Sequence, residues 1–176
     1  PISPGTRFVT LGGAVANDVH GKNHEAAGTF GRHVAALTLL RSDVGEVTCS
    51  PAENAELFAA TIGGLGLTGV ITTVTLRMRR IASAYIDAEK LAYGSLDAFF
   101  ELNAESEGRF EHLVAWFDCT AGAANLGRGI FSRGNWSPFG DLEPHRDAGL
   151  LQLPVELPSF TINPLSLRLI NAVYRA

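Results

Sequence analysis

Eleven of the chain's 19 glycines fall within its first 69 residues, at positions 5, 12, 13, 21, 28, 31, 45, 63, 64, 66 and 69. Glycine loses more backbone freedom on folding than any other residue, so such density needs a reason. Tight turns are one reason. Close approach of bare main chain to a large ligand is the other.

These positions cut the first half into short elements. Arg7 to Leu11 has β-type composition and stops at Gly12-Gly13. Residues 14–19 suit a short helix, which Gly21 breaks. His33 to Leu40 is an apolar run, read as a buried strand. Asp43-Val44-Gly45 is a turn, and Glu46 to Cys49 pairs back as a hairpin partner. Ser50-Pro51-Ala52-Glu53 predicts a helix start, with Ser50 as cap, Pro51 in the first position and Glu53 closing the box. Leu57, Phe58 and Ile62 form its apolar face, and Gly63-Gly64 end it. Residues 69–78 are β-branched and then alternate, the clearest strand in the chain.

Past Arg79-Arg80 the texture changes, which sets a boundary near residue 80 and two domains, 1–80 and 81–176. In the second, 82–91 reads as a strand. Ser95 caps a helix with Leu96, Phe99, Phe100 and Leu102 on one side. Residues 110–119 and 128–133 read as strands. Five prolines between 134 and 164 mark a long irregular connection, and 166–175 reads as a helix. The fold class is α+β.

The net charge of −4 gives no long-range attraction for phosphate backbones, so nucleic acid is not an expected partner. No run of about 18 apolar residues suggests a membrane span, and no start resembles a signal peptide. A cytoplasmic protein, at most peripheral to a membrane, is expected. Two cysteines, Cys49 and Cys119, make no disulfide framework and read as small buried side chains. The chain opens Pro1-Ile2-Ser3-Pro4 without a methionine, and reads as a segment of a longer protein.

Gly64-Leu65-Gly66-Leu67-Thr68-Gly69 matches G-x-G-x-x-G by letter. A dinucleotide site needs a strand before the glycines and a helix after them. Here the order is reversed, so the run reads as a helix cap and a turn leading to a strand. His20-Gly21-Lys22-Asn23-His24 is the most polar cluster. The spacing of His20 and His24 would suit a metal on a helix, but no third ligand is evident and the glycines oppose a helix. The remaining readings are a solvated loop or a site beside the Gly12-Gly13 main chain. In the second, Lys22 stabilises negative charge and His20 donates or shuttles a proton. Trp116, in Ala115-Trp116-Phe117-Asp118, either packs in the core or lines a pocket. Asp18 and Asp118 show no acid–base pairing, and no G-x-S-x-G elbow supports a hydrolase.

The run from Gly5 to His24, with 55–78 behind it, resembles the FAD-linked oxidases of the vanillyl-alcohol oxidase and p-cresol methylhydroxylase superfamily. Within it, one branch is the most similar and also carries the His-Gly-Lys-Asn-His run and the Ala-Trp-Phe-Asp strand. The likeness is dense over 1–80 and thin afterwards. It implies that 1–80 is the second half of an FAD-binding domain, a mixed or antiparallel sheet with flanking helices. It implies that 81–176 begins an antiparallel-sheet substrate domain. Gly5, Thr10, Leu11, Gly12, Gly13, Asn17, Asp18, Val19, His20 and Val70 would line the FAD. Lys22 and Trp116 would border the substrate pocket, with Lys22 and His20 as the catalytic groups. Val114 stands where that most similar branch has a serine, which puts the substrate in doubt. The implied reaction oxidises an alcohol or sugar hydroxyl, free or lipid-linked, to a carbonyl with hydride transfer to the flavin. This segment alone would be inactive. The rival readings are a non-catalytic binding module on a degraded FAD fold, and a His20/His24 metalloenzyme.

Overall fold

The computed structural model describes residues 2, 4–6, 8–122, 125–143 and 158–175. The chain is mixed α+β and divides into two compact units, Pro1–Arg80 and Ile81–Ala176.

The first unit is built on a three-stranded antiparallel sheet. Its central strand is β1 (Val34–Arg41), flanked by β2 (Gly45–Cys49) and β3 (Val70–Leu76). Leu37 lies opposite Cys49 on one side and Val74 on the other. Val34, Leu37 and Leu39 are fully buried, while Leu40 is 48% exposed. Side chains alternate across a strand, so this register decides which leucines meet the core. Ala14 and Val15 of α1 (Leu11–Ala16) close over that face, with Phe30 and Phe58. Phe58 comes from α3 (Ala55–Thr61), and a short α2 spans His24–Ala27.

Two expectations change here. Residues 8–10 form no strand, and Arg7 lies outside the described residues. Instead α1 starts at Leu11 and takes Gly12-Gly13 into its first turn. The cause is Thr10, whose hydroxyl accepts the Gly13 amide at 3.0 Å. The helix expected from Ser50 starts later, at Ala55. Ser50 does accept the Glu53 amide, at 3.0 Å, but within a tight loop. Asn54 then adopts a left-handed backbone, φ 50°, which a helix cannot continue through. Its side-chain amide donates to the Thr48 carbonyl at 2.8 Å, holding the loop to β2.

The glycine run after α3 follows a helix and precedes a strand. Gly63, Leu65 and Gly66 all have positive φ. That shape turns the Gly63 and Leu65 amides onto the Val15 and Ala16 carbonyls at 3.0 and 2.8 Å. The Val15 carbonyl also takes the Asp18 amide at 3.0 Å, and the Ala16 carbonyl lies among the last of α1, which lack an amide four residues on within the helix. Gly64 packs so closely that an added Cβ would collide with the Ala60 carbonyl.

The second unit also has a three-stranded antiparallel sheet. Here β6 (Gly129–Trp136) lies between β4 (Ile86–Tyr93) and β5 (His112–Phe117). Tyr93, Leu113 and Phe131 form the core on one face, covered by Phe99 and Leu102 of α4 (Leu96–Ser106). Ser95 caps α4, accepting the Ala98 amide at 3.2 Å. Leu96 and Phe100 of the expected apolar side are instead 43% and 59% exposed. The helix turns only the Ala98, Phe99 and Leu102 stripe to the sheet, because residues three and four apart share a face. Arg133, almost fully buried, ties sheet to helix through Glu89 at 2.6 Å, Glu105 at 3.2 Å and Ser106 at 2.9 Å. The last helix, α5, spans Pro164–Arg175. It starts earlier than residue 166 because the Asn163 side chain accepts the Leu165 and Ser166 amides, leaving Pro164 in the first turn. Of the irregular connection expected over 134–164, residues 144–157 lie outside the described residues. No helix among the described residues is long and apolar enough to cross a membrane.

The register of β1 makes a direct prediction. Leu37→Ala is expected to cost about 2–5 kcal/mol. Leu40→Ala, on the exposed side, is expected to cost under about 1 kcal/mol. Urea midpoints of the two variants check this, and equal losses would contradict the register.

Candidate functional site

The predicted site residues of the first unit fall on one short stretch and one strand end. Thr10 and Leu11 are exposed at the head of α1, Leu11 by 55%. Gly13 sits where a Cβ would come within 2.9 Å of the Thr10 hydroxyl oxygen. A Cβ on Gly12 would rest 3.6 Å from that of Ile71. The start of α1 therefore abuts the start of β3, next to Val70, which is 65% exposed. Val70 lines a cleft of about 480 Å³ with Gly66, Leu67, Thr68 and Gly69 on one wall and the Leu40–Asp43 turn on the other. Arg41 braces that turn, pairing with Asp43 at 2.8 Å and donating to the Thr68 carbonyl at 2.9 Å.

Asn17, Asp18 and Val19 work locally. The Asn17 amide donates to the Gly13 carbonyl at 2.9 Å. Asp18, in a left-handed conformation with φ 42°, accepts the Gly31 amide at 2.7 Å. The Val19 carbonyl accepts from Phe30 at 2.9 Å. The backbone then doubles back: Gly21 bridges to Pro4 in antiparallel fashion, which brings Gly5 alongside His20 and Gly21. His20 and Lys22 are exposed. His24 is the first residue of α2, and its Nδ1 donates to the Gly21 carbonyl at 3.1 Å. The His20 and His24 rings meet edge to face, centroids 5.7 Å apart. Among the described residues no group of three His, Cys, Asp or Glu could hold a metal.

In the second unit Trp116 is half-buried on β5. Leu113, Ala115 and Phe117 face the core, so Trp116 and Val114 point to the other side of the sheet. Val114 is 41% exposed. The Trp116 ring packs against Tyr174 of α5, centroids 5.0 Å apart. Cys49 is buried as expected, but Cys119 is exposed because it lies in the turn past β5.

The sequence reading missed the strongest polar cluster. Asp118 is buried and accepts five hydrogen bonds. Two come from Thr120, at 3.0 Å from its amide and 2.7 Å from its hydroxyl. The Arg128 Nε and Nη2 give two more, at 2.9 and 2.6 Å, and the Asn171 amide the fifth, at 2.7 Å. The hydrogen bonds from Thr120 and Arg128 hold its carboxyl well below the usual carboxylate range. Asn171 belongs to α5, so this cluster fastens that helix beside β5. Residues 118, 128 and 171 share no local spacing, and no periodicity could have paired them.

No protein-family model matches the chain. Curated relatives do. Over 145 residues the chain is 43% identical to decaprenylphosphoryl-beta-D-ribose oxidase of Mycolicibacterium smegmatis, a match covering 81% of this chain and 31% of that protein. It is 38% identical over 138 residues to the uncharacterized protein in mprA 5'region of Streptomyces coelicolor, covering 78% and 37%. L-gulonolactone oxidase of Mus musculus is 41% identical over 71 residues, covering 39% and 16%. The chain thus spans roughly a third or less of the length of the curated relatives it matches.

The Asp118 cluster predicts a pH response. Its folded pKa is depressed, so the carboxylate stabilises the fold above its unfolded pKa of about 4, and that contribution is lost as pH falls below. Asp118→Asn is expected to lower the melting temperature at pH 7 and to flatten its acid dependence. Thermal melts between pH 3 and pH 7 check this; a variant with the parent's acid dependence would count against it.

Proposed function

We infer that this chain, a relative of the FAD-linked oxidases, is part of a flavoprotein that oxidises an alcohol or sugar hydroxyl to a carbonyl. The observation that supports it most is the meeting of the α1 head with the start of β3. Leu11 and Val70 stay exposed there, and Val70 lines a cleft walled in part by glycine backbone. Exposed apolar side chains next to accessible main chain suit a planar ring with a polar tail.

In this reading Gly5, Thr10, Leu11, Gly12, Gly13, Val19 and His20 form the wall against which the cofactor rests, and Val70 meets its adenine end. Asn17 and Asp18 contribute shape more than free polar groups, since the Asn17 side chain donates to the Gly13 carbonyl and the Asp18 carboxylate accepts the Gly31 amide. FAD, when bound, supplies the two-electron acceptor. Oxidation of an alcohol to a carbonyl removes its hydroxyl proton together with the C–H hydrogen and its electron pair, a hydride that the two-electron acceptor would take. His20, exposed and next to Gly21, is the group for that proton. Lys22 provides an ammonium that holds the substrate oxygen and offsets developing negative charge. Trp116 offers an aromatic wall on the second unit's sheet for a substrate to pack against, and Val114 beside it gives that wall an apolar neighbour.

The intact protein purified with added FAD is expected to carry a visible flavin spectrum that bleaches anaerobically with its alcohol. A colourless protein that takes up no FAD sinks the reading. Lys22→Met is expected to retain the spectrum and to slow flavin reduction by about 10²–10³-fold. An unchanged rate would remove Lys22 from the site.

A further inference from the structure

Helix α5 meets the end of β5 at two points in matching register. Trp116 and Asp118 are two residues apart, and Asp118 continues the ladder, its amide donating to the Arg128 carbonyl at 2.9 Å. Their side chains therefore leave the chain on the same side. Asn171 and Tyr174 are three residues apart on α5, so they share a face of that helix. The Tyr174 ring meets the Trp116 ring, centroids 5.0 Å apart and planes at 53°. The Asn171 amide donates to the Asp118 carboxylate at 2.7 Å and to the Thr120 hydroxyl at 3.1 Å. An amide nitrogen has two hydrogens to give, and these two acceptors leave the side chain one orientation.

The backbone under Trp116 is settled without α5. Trp116 pairs with Ile130 in the sheet, and its carbonyl accepts the Tyr93 hydroxyl at 3.1 Å. What remains is the swing of the half-buried indole about its side-chain bonds. Tyr174 limits that swing, and the place of Tyr174 follows from the grip of α5 on the strand. That grip is polar: Leu165, Leu169 and Val173 are exposed, while Asn171 is bound to the buried Asp118.

We propose that Asn171 is a positioning residue for Trp116. By holding α5 to Asp118 it seats Tyr174 against the indole and fixes the angle at which the indole meets a substrate. In the flavoprotein reading, on which this role rests, Trp116 walls the substrate pocket. Asn171 acts on the substrate only through Tyr174 and Trp116. Its loss therefore falls on substrate binding more than on the chemical step.

Fluorine NMR of the intact protein, grown with 5-fluorotryptophan and purified with added FAD, reads the indole directly. Trp116→Phe and Trp136→Phe identify the two resonances. Trp136 is the internal reference, since it lies at the far end of β6, opposite Ile86 and against the His112 ring. Asn171→Ala is expected to move or broaden the Trp116 resonance and to leave that of Trp136 in place. Tyr174→Phe, which keeps the ring, and Arg168→Gln, elsewhere on the helix, are expected to match the parent. The same samples are mixed anaerobically with a panel of aldopentoses and aldohexoses. For the sugar that reduces the parent's flavin fastest, Asn171→Ala is expected to raise the half-saturating concentration roughly tenfold and to change the limiting rate by less than about twofold. An unmoved Trp116 resonance, equal movement of Trp136, or an unchanged half-saturating concentration overturns the role of Asn171. In a yellow protein that a sugar reduces, such a result removes that role alone. A protein that is colourless, or whose flavin no sugar reduces, removes the flavoprotein reading and this role with it.

Discussion

The first unit depends on two hydrogen bonds, from the Gly63 and Leu65 amides to the carbonyls that end α1. A helix of six residues cannot stand alone in water, and its last carbonyls need partners when it is packed against a core. The positive-φ turn at residues 63–66 supplies them. In doing so it sets where the chain re-enters the sheet, and so where Val70 begins β3. The same contact that satisfies buried backbone thus brings Val70 up to the glycines at the head of α1. Packing and the candidate cofactor wall are one arrangement. A side chain at Gly64 would collide with the Ala60 carbonyl and disturb both.

The second unit is organised differently. Its core is one face of a sheet under α4, and Arg133 is the polar tie across that layer. The other face, carrying Val114 and Trp116, is met by α5. That helix shows little burial: Leu165, Leu169 and Val173 are each more than 60% exposed. Hydrophobic burial alone therefore holds it weakly. The Asp118 carboxylate and the Trp116–Tyr174 contact do the positioning. A buried carboxylate surrounded by five donors stays charged, and a single geometry satisfies them all.

Strand positions were legible because their signal is local. The apolar run at 34–40, the Asp43–Gly45 turn and the β-branched 70–76 each carry strand and hairpin character within a few residues. The G-x-G-x-x-G run was also legible, since its order relative to helix and strand can be read along the chain. Three helix starts were misplaced for a shared reason. Thr10 drew two glycines into a helix, Asn54 kept four residues out of one, and Asn163 brought the last one forward to Pro164, each through a side-chain bond to backbone. Such bonds compete with propensity, and composition alone does not say which wins.

By itself the sequence determined the α+β class, the strands of both sheets, and the stretch Gly5–His24 in which the candidate site lies. The first two follow from periodicity and turn residues, which act between near neighbours, and the third is what the resemblance to the FAD-linked oxidases implied. Only the tertiary structure decided which face of β5 Trp116 takes and that Asp118 would gather Arg128 and Asn171. Each of these depends on groups remote in sequence meeting across a packed layer. Burial then fixes which charges are shared and which remain free, and no local pattern encodes that.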